Sequence, residues 1–393
     1  MNIAFYAPMK SPNHPSPSGD RYIARLLLEA LNQNGFNAHL ASEFRSWEGK
    51  GQAHVQEAIA QEGKNIATDL IDHYQALPVR DRPQAWFTYH LYHKAPDWIG
   101  PSVSRALGIP YFLAEASVSA KQARGQWSEG YRASVLAIQQ ARKIFNLNPR
   151  DIPGLRQVVH ELNTLVNLPP FLPPTLAPPE SRIALRERIG LWKNISPHDY
   201  WLCCVAMMRK DSKHDSYQLL AKSMQHIERQ DWQLLIIGSG VAEAEIKQAF
   251  SQLKNCHFLG QQDALFIHEY LCASDLFVWP AINEAFGMAM LEALRAGLPV
   301  IAGRSKGVAQ VVDHMKTGIL VDPITPNQFA ITIDDLLANP AQIANMAKQS
   351  VKKFSQHHTL QQASIQLRQH ITEIISAQTS ASEAQMPASH PTT

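Results

Sequence analysis

DLFVWPAINEAFGMAMLEALRAGLPVIAG, residues 275–303, holds the pattern from which the rest of the chain can be read. A short apolar strand runs into a loop carrying Glu284. Gly287 stands where a helix begins, Glu292 lies inside that helix, and a second apolar strand follows in LPVIAG. Strand, loop, helix and strand in this order form one unit of a parallel sheet covered by helices. Eight residues at about 1.5 Å rise each put the two glutamates roughly 12 Å apart, comparable with the reach of a nucleotide sugar. Between them the first N–H groups of the helix, around Phe286, Gly287 and Met288, have no intrahelical partner, and the helix dipole favours negative charge there. A glycine at that point lets a phosphate come close to the backbone. The competing reading is plainer: acids near a helix N-terminus are stabilising whether or not anything binds.

Outward from this segment the same alternation continues. WLCCVAMM, WQLLIIG, CHFLG and GILVDP read as strands with helical stretches between them, the ingredients of a doubly wound domain over 181–355. The first half alternates in the same way through IAFYAP, AWFTYH, PYFLAEA and KIFNLN, giving a Rossmann-like domain over 1–165. Between the halves, VNLPPFLPPTLAPPE breaks the pattern. Repeated prolines remove backbone donors and hold the chain extended, so 166–180 is expected to be a linker. Helical periodicity returns over 356–378, read as a C-terminal helix able to pack back on the first domain, and the small, polar tail 379–393 is expected to be disordered.

Composition narrows the function classes. With 393 residues the chain is long enough for two domains with their own cores, and 45% hydrophobic with 18% charged residues is the balance of a soluble globular protein. No apolar run approaches the roughly 20 residues that span a bilayer, and MNIAFYAPMK reads as a strand instead of a signal peptide, so a cytoplasmic location is expected. Four cysteines without a paired framework suit free thiols. A net charge of +2 gives no reason to expect a nucleic-acid partner. Residues 101–150 are locally basic, which suits either a solvated helix face or loose attachment to the inner face of a membrane or an anionic acceptor.

The pair Glu284 and Glu292 in E-x7-E, followed by GLPVIAG, resembles glycosyltransferase family 4, within the glycosyl transferases group 1. That resemblance implies an α/β fold of the GT-B type, two Rossmann-like doubly wound domains facing across a cleft. It implies a retaining glycosyltransferase that uses a nucleotide-sugar donor as substrate, with no cofactor and no metal. Glu284 would contact donor sugar hydroxyls and Glu292 the ribose. Arg209 and Lys213, just past the strand ending near Met208, would neutralise the leaving diphosphate, although relatives space the lysine five residues after the arginine and here it follows by four, with Lys210 in competition. In LLIIGSG, Gly238 and Gly240 match a donor-side glycine loop. Read as a dinucleotide fingerprint GSGVAE fails, because Glu243 takes the third glycine position.

The first domain resembles the family less closely. Where relatives carry a glycine pair after the first strand, PSPSGDRY offers only Gly19. Where they place a histidine at a later strand end, YFLAEAS has Glu115. His90 and His93, beside Tyr89 and Tyr92, suit a wall that stacks on a sugar ring, packing alone being the rival. No cysteine or carboxylate set completes a zinc site with them. Sugar, nucleotide and acceptor, whether glycan, lipid or small molecule, are not specified by these residues. A noncatalytic nucleotide-sugar-binding scaffold, or partner subunit, is the alternative reading.

Overall fold

A computed structural model describes residues 1–16, 18–174 and 180–384. The chain divides into two compact units, one of residues 1–169 with 360–393, the other of residues 170–359.

Six parallel strands build the first unit: β1 Asn2–Tyr6, β2 Asn37–Ser42, β3 Ala85–Leu91, β4 Tyr111–Ala116, β5 Lys143–Asn146 and β6 Leu165–Asn167, in the order β2-β1-β3-β4-β5-β6. The order reverses direction between β1 and β3, the place where open α/β sheets bind ligands at their carboxyl edge. The central strands are apolar along their length because helices cover both faces. Phe5 stacks on Phe87 and Phe87 on Phe145, each at 5.9 Å between ring centroids. One buried carboxylate ties sheet to loop. Asp97 accepts from the Thr88 and Tyr111 hydroxyls at 2.6 and 2.8 Å and from the Ile99 and Gly100 N–H groups at 2.9 and 2.7 Å. A buried polar group satisfied this fully holds the β3 loop in one conformation.

The helix Gly19–Gln33 starts where the Ser18 hydroxyl accepts the Arg21 N–H, and it buries Ile23, Ala24, Leu26, Leu27, Ala30 and Leu31 on one face. Against it packs the last helix, Leu360–Ala384, whose Ser364 hydroxyl bonds to the Ala30 carbonyl. His358 and Thr359 separate this helix from Pro340–His357, so residues 356–357, expected in the C-terminal helix, close the helix before it. Residues 379–384, expected in a disordered tail, continue the last helix, and 385–393 lie outside the described residues.

The second unit has β7 Tyr200–Val205, β8 Trp232–Ile237, β9 Cys256–Gly260, β10 Leu276–Trp279, β11 Val300–Gly303 and β12 Gly318–Val321, all parallel, in the order β12-β11-β10-β7-β8-β9. Counted from β9 this is 3-2-1-4-5-6, the Rossmann order, with its switch point between β7 and β10. Asp275 fastens that junction. One of its oxygens accepts the Trp201 N–H at 2.7 Å and Arg186 at 3.2 Å, and the other pairs with Arg182.

Residues 165–167, at the edge of the expected linker, pair with β5 as an edge strand, because the prolines that forbid pairing begin only at Pro169. Past them Leu172 pairs with Thr359 in the second unit, and linker residues 175–179 lie outside the described residues. The four cysteines are free, and no described helix is long and apolar enough to cross a membrane.

Candidate functional site

Each unit carries a cluster at the carboxyl edge of its sheet. In the second, β10 ends at Trp279 and the chain turns through Ala281 and Asn283, both with left-handed backbone at φ 57° and 52°. Asparagine tolerates this region, whereas alanine in it costs about 1 kcal/mol, strain of the kind that gathers at functional loops. The loop is fixed from several sides. The Ile282 N–H donates to the Ser216 hydroxyl at 3.0 Å, the Gly303 N–H to the Pro280 carbonyl at 3.1 Å, and Gly307 lies so close to the Ala285 carbonyl that a Cβ there would sit 1.5 Å from it.

Glu284, at the end of this turn, forms an ion pair with Lys213 from the first turn of the helix Ser212–Met224. Their side chains are only 14% and 25% exposed, so the pair is largely withdrawn from solvent screening. The Trp279 indole N–H reaches the same Glu284 oxygen at 3.4 Å, and the Lys213 ammonium lies 5.5 Å from the Trp279 ring centroid, a ring held edge-on by Tyr217 at 4.8 Å. A carboxylate from β10 and a cation from the β7 side thus meet across the switch point.

Three residues on, Gly287 takes φ 75° as N-cap of the helix Met288–Arg295. Met290 and Leu291 bond back to its carbonyl, leaving the Met288 and Ala289 N–H groups ahead of the first intrahelical bonds. Phe286 is buried beneath and Met288 half-buried. Glu292, one turn and a half into the helix, is half-buried, and burial raises its carboxyl above the usual range against the pull of Arg295.

Other expected members of this cluster stand elsewhere. Arg209 is exposed and its guanidinium reaches the Met207 sulfur at 3.0 Å, so Lys213 alone of the two meets Glu284. Lys210 pairs with Glu245. Gly238 and Gly240 pack against their neighbour strand's extension: a Cβ on them would sit 2.0 Å from the Ala206 carbonyl and 2.4 Å from that of Met208. At φ 140° and 155° they admit the close β7–β8 approach, which is sufficient reason for two glycines there.

The cluster of the first unit spans its own switch point. His90 is the last residue but one of β3 and Glu115 lies in β4, and both have left-handed backbone, at φ 62° and 52°. His90 Nδ1 lies 3.1 Å from an Asp20 oxygen, in the first turn of the helix Gly19–Gln33, close but not aligned as a hydrogen bond. Burial works to lower the His90 pKa, but Asp20, then Glu115 and Asp151, outweigh it and hold it raised. Glu115 is 9% exposed, and one of its oxygens has no hydrogen-bond partner among the described residues. Burial first, then the neighbouring Asp20 and Asp151, push its carboxyl up to about 7 despite His90. A carboxyl raised to about 7 beside an imidazole whose pKa is also raised can hold or pass a proton. Gly19 begins the helix with open space where a Cβ would be.

His93 does not join this group. It stands on the loop past β3 with its ring against Trp127 at 5.6 Å, because three residues along a turning loop, unlike three along a helix, do not share a face. Asp20 is the residue that sequence reasoning passed over, although an acid in the first turn of the helix after β1 was there to be read. Among the described residues no group of three His, Cys, Asp or Glu side chains is placed to hold a metal ion.

Two parallel six-stranded sheets flanked by helices, with Rossmann-type strand orders and polar clusters at their carboxyl edges, place the chain in the GT-B class. Residues 199–353 match the model of the glycosyl transferases group 1. The chain is 30% identical over 203 residues to the GDP-mannose-dependent monoacylated alpha-(1-6)-phosphatidylinositol monomannoside mannosyltransferase of Corynebacterium glutamicum, 49% of this chain and 50% of that one. It is 28% identical over 198 residues to the D-inositol 3-phosphate glycosyltransferase of Xylanimonas cellulosilytica, covering 48% and 45%. The matches thus span about half the length of these curated relatives. Among solved structures it shares a fold with sucrose-phosphate synthase of Thermosynechococcus elongatus, at TM-score 0.68 and 18% identity over 96% of this chain and 99% of that one. The same holds for Anabaena HepE in complex with UDP-glucose, at TM-score 0.67 and 15% identity over 96% and 100%.

Proposed function

We propose that the chain is a retaining glycosyltransferase that moves a sugar from a nucleotide-diphosphate sugar to an acceptor hydroxyl. The observation that carries this reading is the Lys213–Glu284 pair beside the Gly287-capped helix start at the β7–β10 switch point. An activated sugar brings two demands to such a place. Its diphosphate needs donors and a fixed cation, which the Met288 and Ala289 N–H groups and Lys213 supply. Its sugar hydroxyls need an acceptor of hydrogen bonds, which Glu284 supplies once Lys213 turns to the phosphate. Glu292, eight residues further, serves the ribose, and metal and cofactor have no part in the scheme. The UDP-glucose held by a neighbour of the same fold supports the ligand class, and the names of the relatives support the transfer.

In the reaction the bond from the anomeric carbon to the diphosphate oxygen breaks and a bond from the acceptor oxygen to that carbon forms on the same face. The acceptor proton passes to the leaving phosphate oxygen, so no enzyme nucleophile is used. Catalysis then rests on positioning and on stabilising the departing charge.

Thermal shift with UDP, GDP and ADP forms of common sugars identifies the donor, because a ligand that binds only the folded chain raises its melting temperature. With that donor, release of free nucleotide by Glu284→Ala is expected to fall by about a hundredfold or more, and by Arg209→Ala by much less. Loss of less than about twofold in Glu284→Ala would overturn the assignment, and inversion at the anomeric carbon, read by NMR of the product, would overturn retention.

A further inference from the structure

The loops at the carboxyl edge of the first sheet carry a run of rings that the donor chemistry leaves unused. It begins at half-buried His90, whose ring meets Tyr92 at 5.5 Å. Tyr92 meets His93 at 5.3 Å and His93 meets Trp127 at 5.6 Å. On the other side the Trp47 indole N–H donates to the Tyr92 hydroxyl at 3.1 Å. Trp47 is 38% exposed, and Tyr92, His93 and Trp127 are half-buried, so these rings form a surface instead of a core. Cations lie on the two tryptophans: the Arg45 guanidinium is 4.6 Å from the Trp47 ring centroid and the Lys94 ammonium 4.2 Å from that of Trp127.

The surrounding charge leans basic. Loops 43–52, 92–99 and 117–127 hold Arg45, Lys50, Lys94, Lys121 and Arg124 against Glu43, Glu48 and Asp97. Asp97 is buried with its bonds satisfied inside the unit, and Glu48 is held by the Lys50 and Gly51 N–H groups at 2.6 Å each. Exposed Glu43 and Glu129 stand against exposed Arg45, Lys50, Lys121 and Arg124 and half-buried Lys94, so the charge facing outward is basic on balance. Aromatic faces stack on the C–H faces of sugars, and exposed cations select a negative group beside them.

We infer that this track, from His90 through Tyr92 to Trp47 and Trp127, binds the acceptor, and that the acceptor is a glycan bearing phosphate or carboxylate groups. The inference rests on the transferase reading above. Its inner end is the His90–Glu115 cluster, where a buried Glu115 oxygen awaits a partner, and its outer end is the pair of cation-capped tryptophans.

Tryptophan fluorescence titration of the full chain tests it with four probes: tetragalacturonate, mannose 6-phosphate, and the neutral maltotetraose and mannose. At least one anionic probe is expected to bind about tenfold more tightly than its neutral match, and that preference should weaken as salt rises. Trp47→Ala should lose about tenfold in affinity and Trp47→Phe, which keeps a stacking face, should regain most of it. Arg45→Met with Lys94→Met should remove the anionic preference while leaving stacking. Nucleotide binding at the second unit, measured in the same variants, should not change. Equal binding of neutral and anionic probes, indifference to Trp47→Ala, or binding only to phosphatidylglycerol vesicles would each overturn the inference. If nucleotide binding is intact in that case, the transferase reading stands. If no nucleotide binds the parent chain, it is that reading which has failed.

Discussion

Replacing Glu115 with glutamine isolates the electrostatic cost stored at the first-unit cluster. Burial lifts this carboxyl from its ordinary 4.5 to about 7. Between those values the unfolded chain has given up the proton while the folded chain still holds it, so stability falls as pH rises through the window and the cost remains above it. About 2.5 pH units at about 1.4 kcal/mol each make that cost roughly 3.5 kcal/mol. Glutamine keeps the shape without the charge. The attraction of His90 is already contained in the value of about 7; what takes back part of the gain is the extra N–H donor that the amide brings into a buried site. The expected net effect at about pH 8 is a stabilisation of about 2 kcal/mol, which for a unit of this size is a rise of roughly 4–8 °C in melting temperature. Near pH 4 the rise should vanish, since Glu115 is then protonated in both states. Calorimetric scans of parent and variant at the two pH values give the comparison. A difference that does not change with pH, or a variant less stable at high pH, would show that the charge of Glu115 is not held in the cost described.

Asp20→Asn probes the other half of the cluster. The folded pKa of His90 is raised, so the stability it draws from Asp20 is present below the free-histidine value of about 6.5 and lost as pH rises through the raised one. The variant should therefore be about 1 kcal/mol less stable than the parent near pH 5.5, with the gap closing at higher pH in urea titrations. Asp275→Ala leaves Arg182 and Arg186 without their carboxylate and the Trp201 N–H without its acceptor, and calorimetry should show a loss of about 3 kcal/mol. Gly287→Ala forces φ 75° on a residue with a Cβ, which would lie 1.9 Å from the end of the Met290 side chain. Met290 can move aside, so the urea midpoint should register only about 1–2 kcal/mol, while nucleotide affinity should drop further because the helix start shifts.

Much of the second sheet was legible because strand, loop, glycine and helix in residues 275–303 fall in an order that only a covered parallel sheet satisfies. The pairing of Lys213 with Glu284 was half legible. The sequence offered Arg209 and Lys213 with Lys210 in competition, and the helix Ser212–Met224 carries Lys213 toward β10 in its first turn and leaves Arg209 exposed before it. Gly238 and Gly240 show the reverse problem. A glycine needed for strand-to-strand approach and one needed for a phosphate look the same in sequence, and the closeness of the Ala206 and Met208 carbonyls is a packing need that the sequence does not display. Left-handed backbone at Ala281 and Glu115 had no signal, since nothing about those residue types favours it, and at His90 only the mild preference of histidine for that region pointed to it. His93 was grouped with His90 by proximity along the chain, which a turning loop does not preserve.

The first unit takes its covering helix from the far end of the chain: Leu360–Ala384 lies on the helix Gly19–Gln33. Synthesis therefore delivers the pieces out of order. The segment from Pro170 to Thr359 is continuous and can finish its own core as it leaves the ribosome, whereas the residues made before it must wait, one apolar helix face uncovered, until the last turn arrives. A stop codon after residue 359 would spare the unit just completed and damage the one begun first.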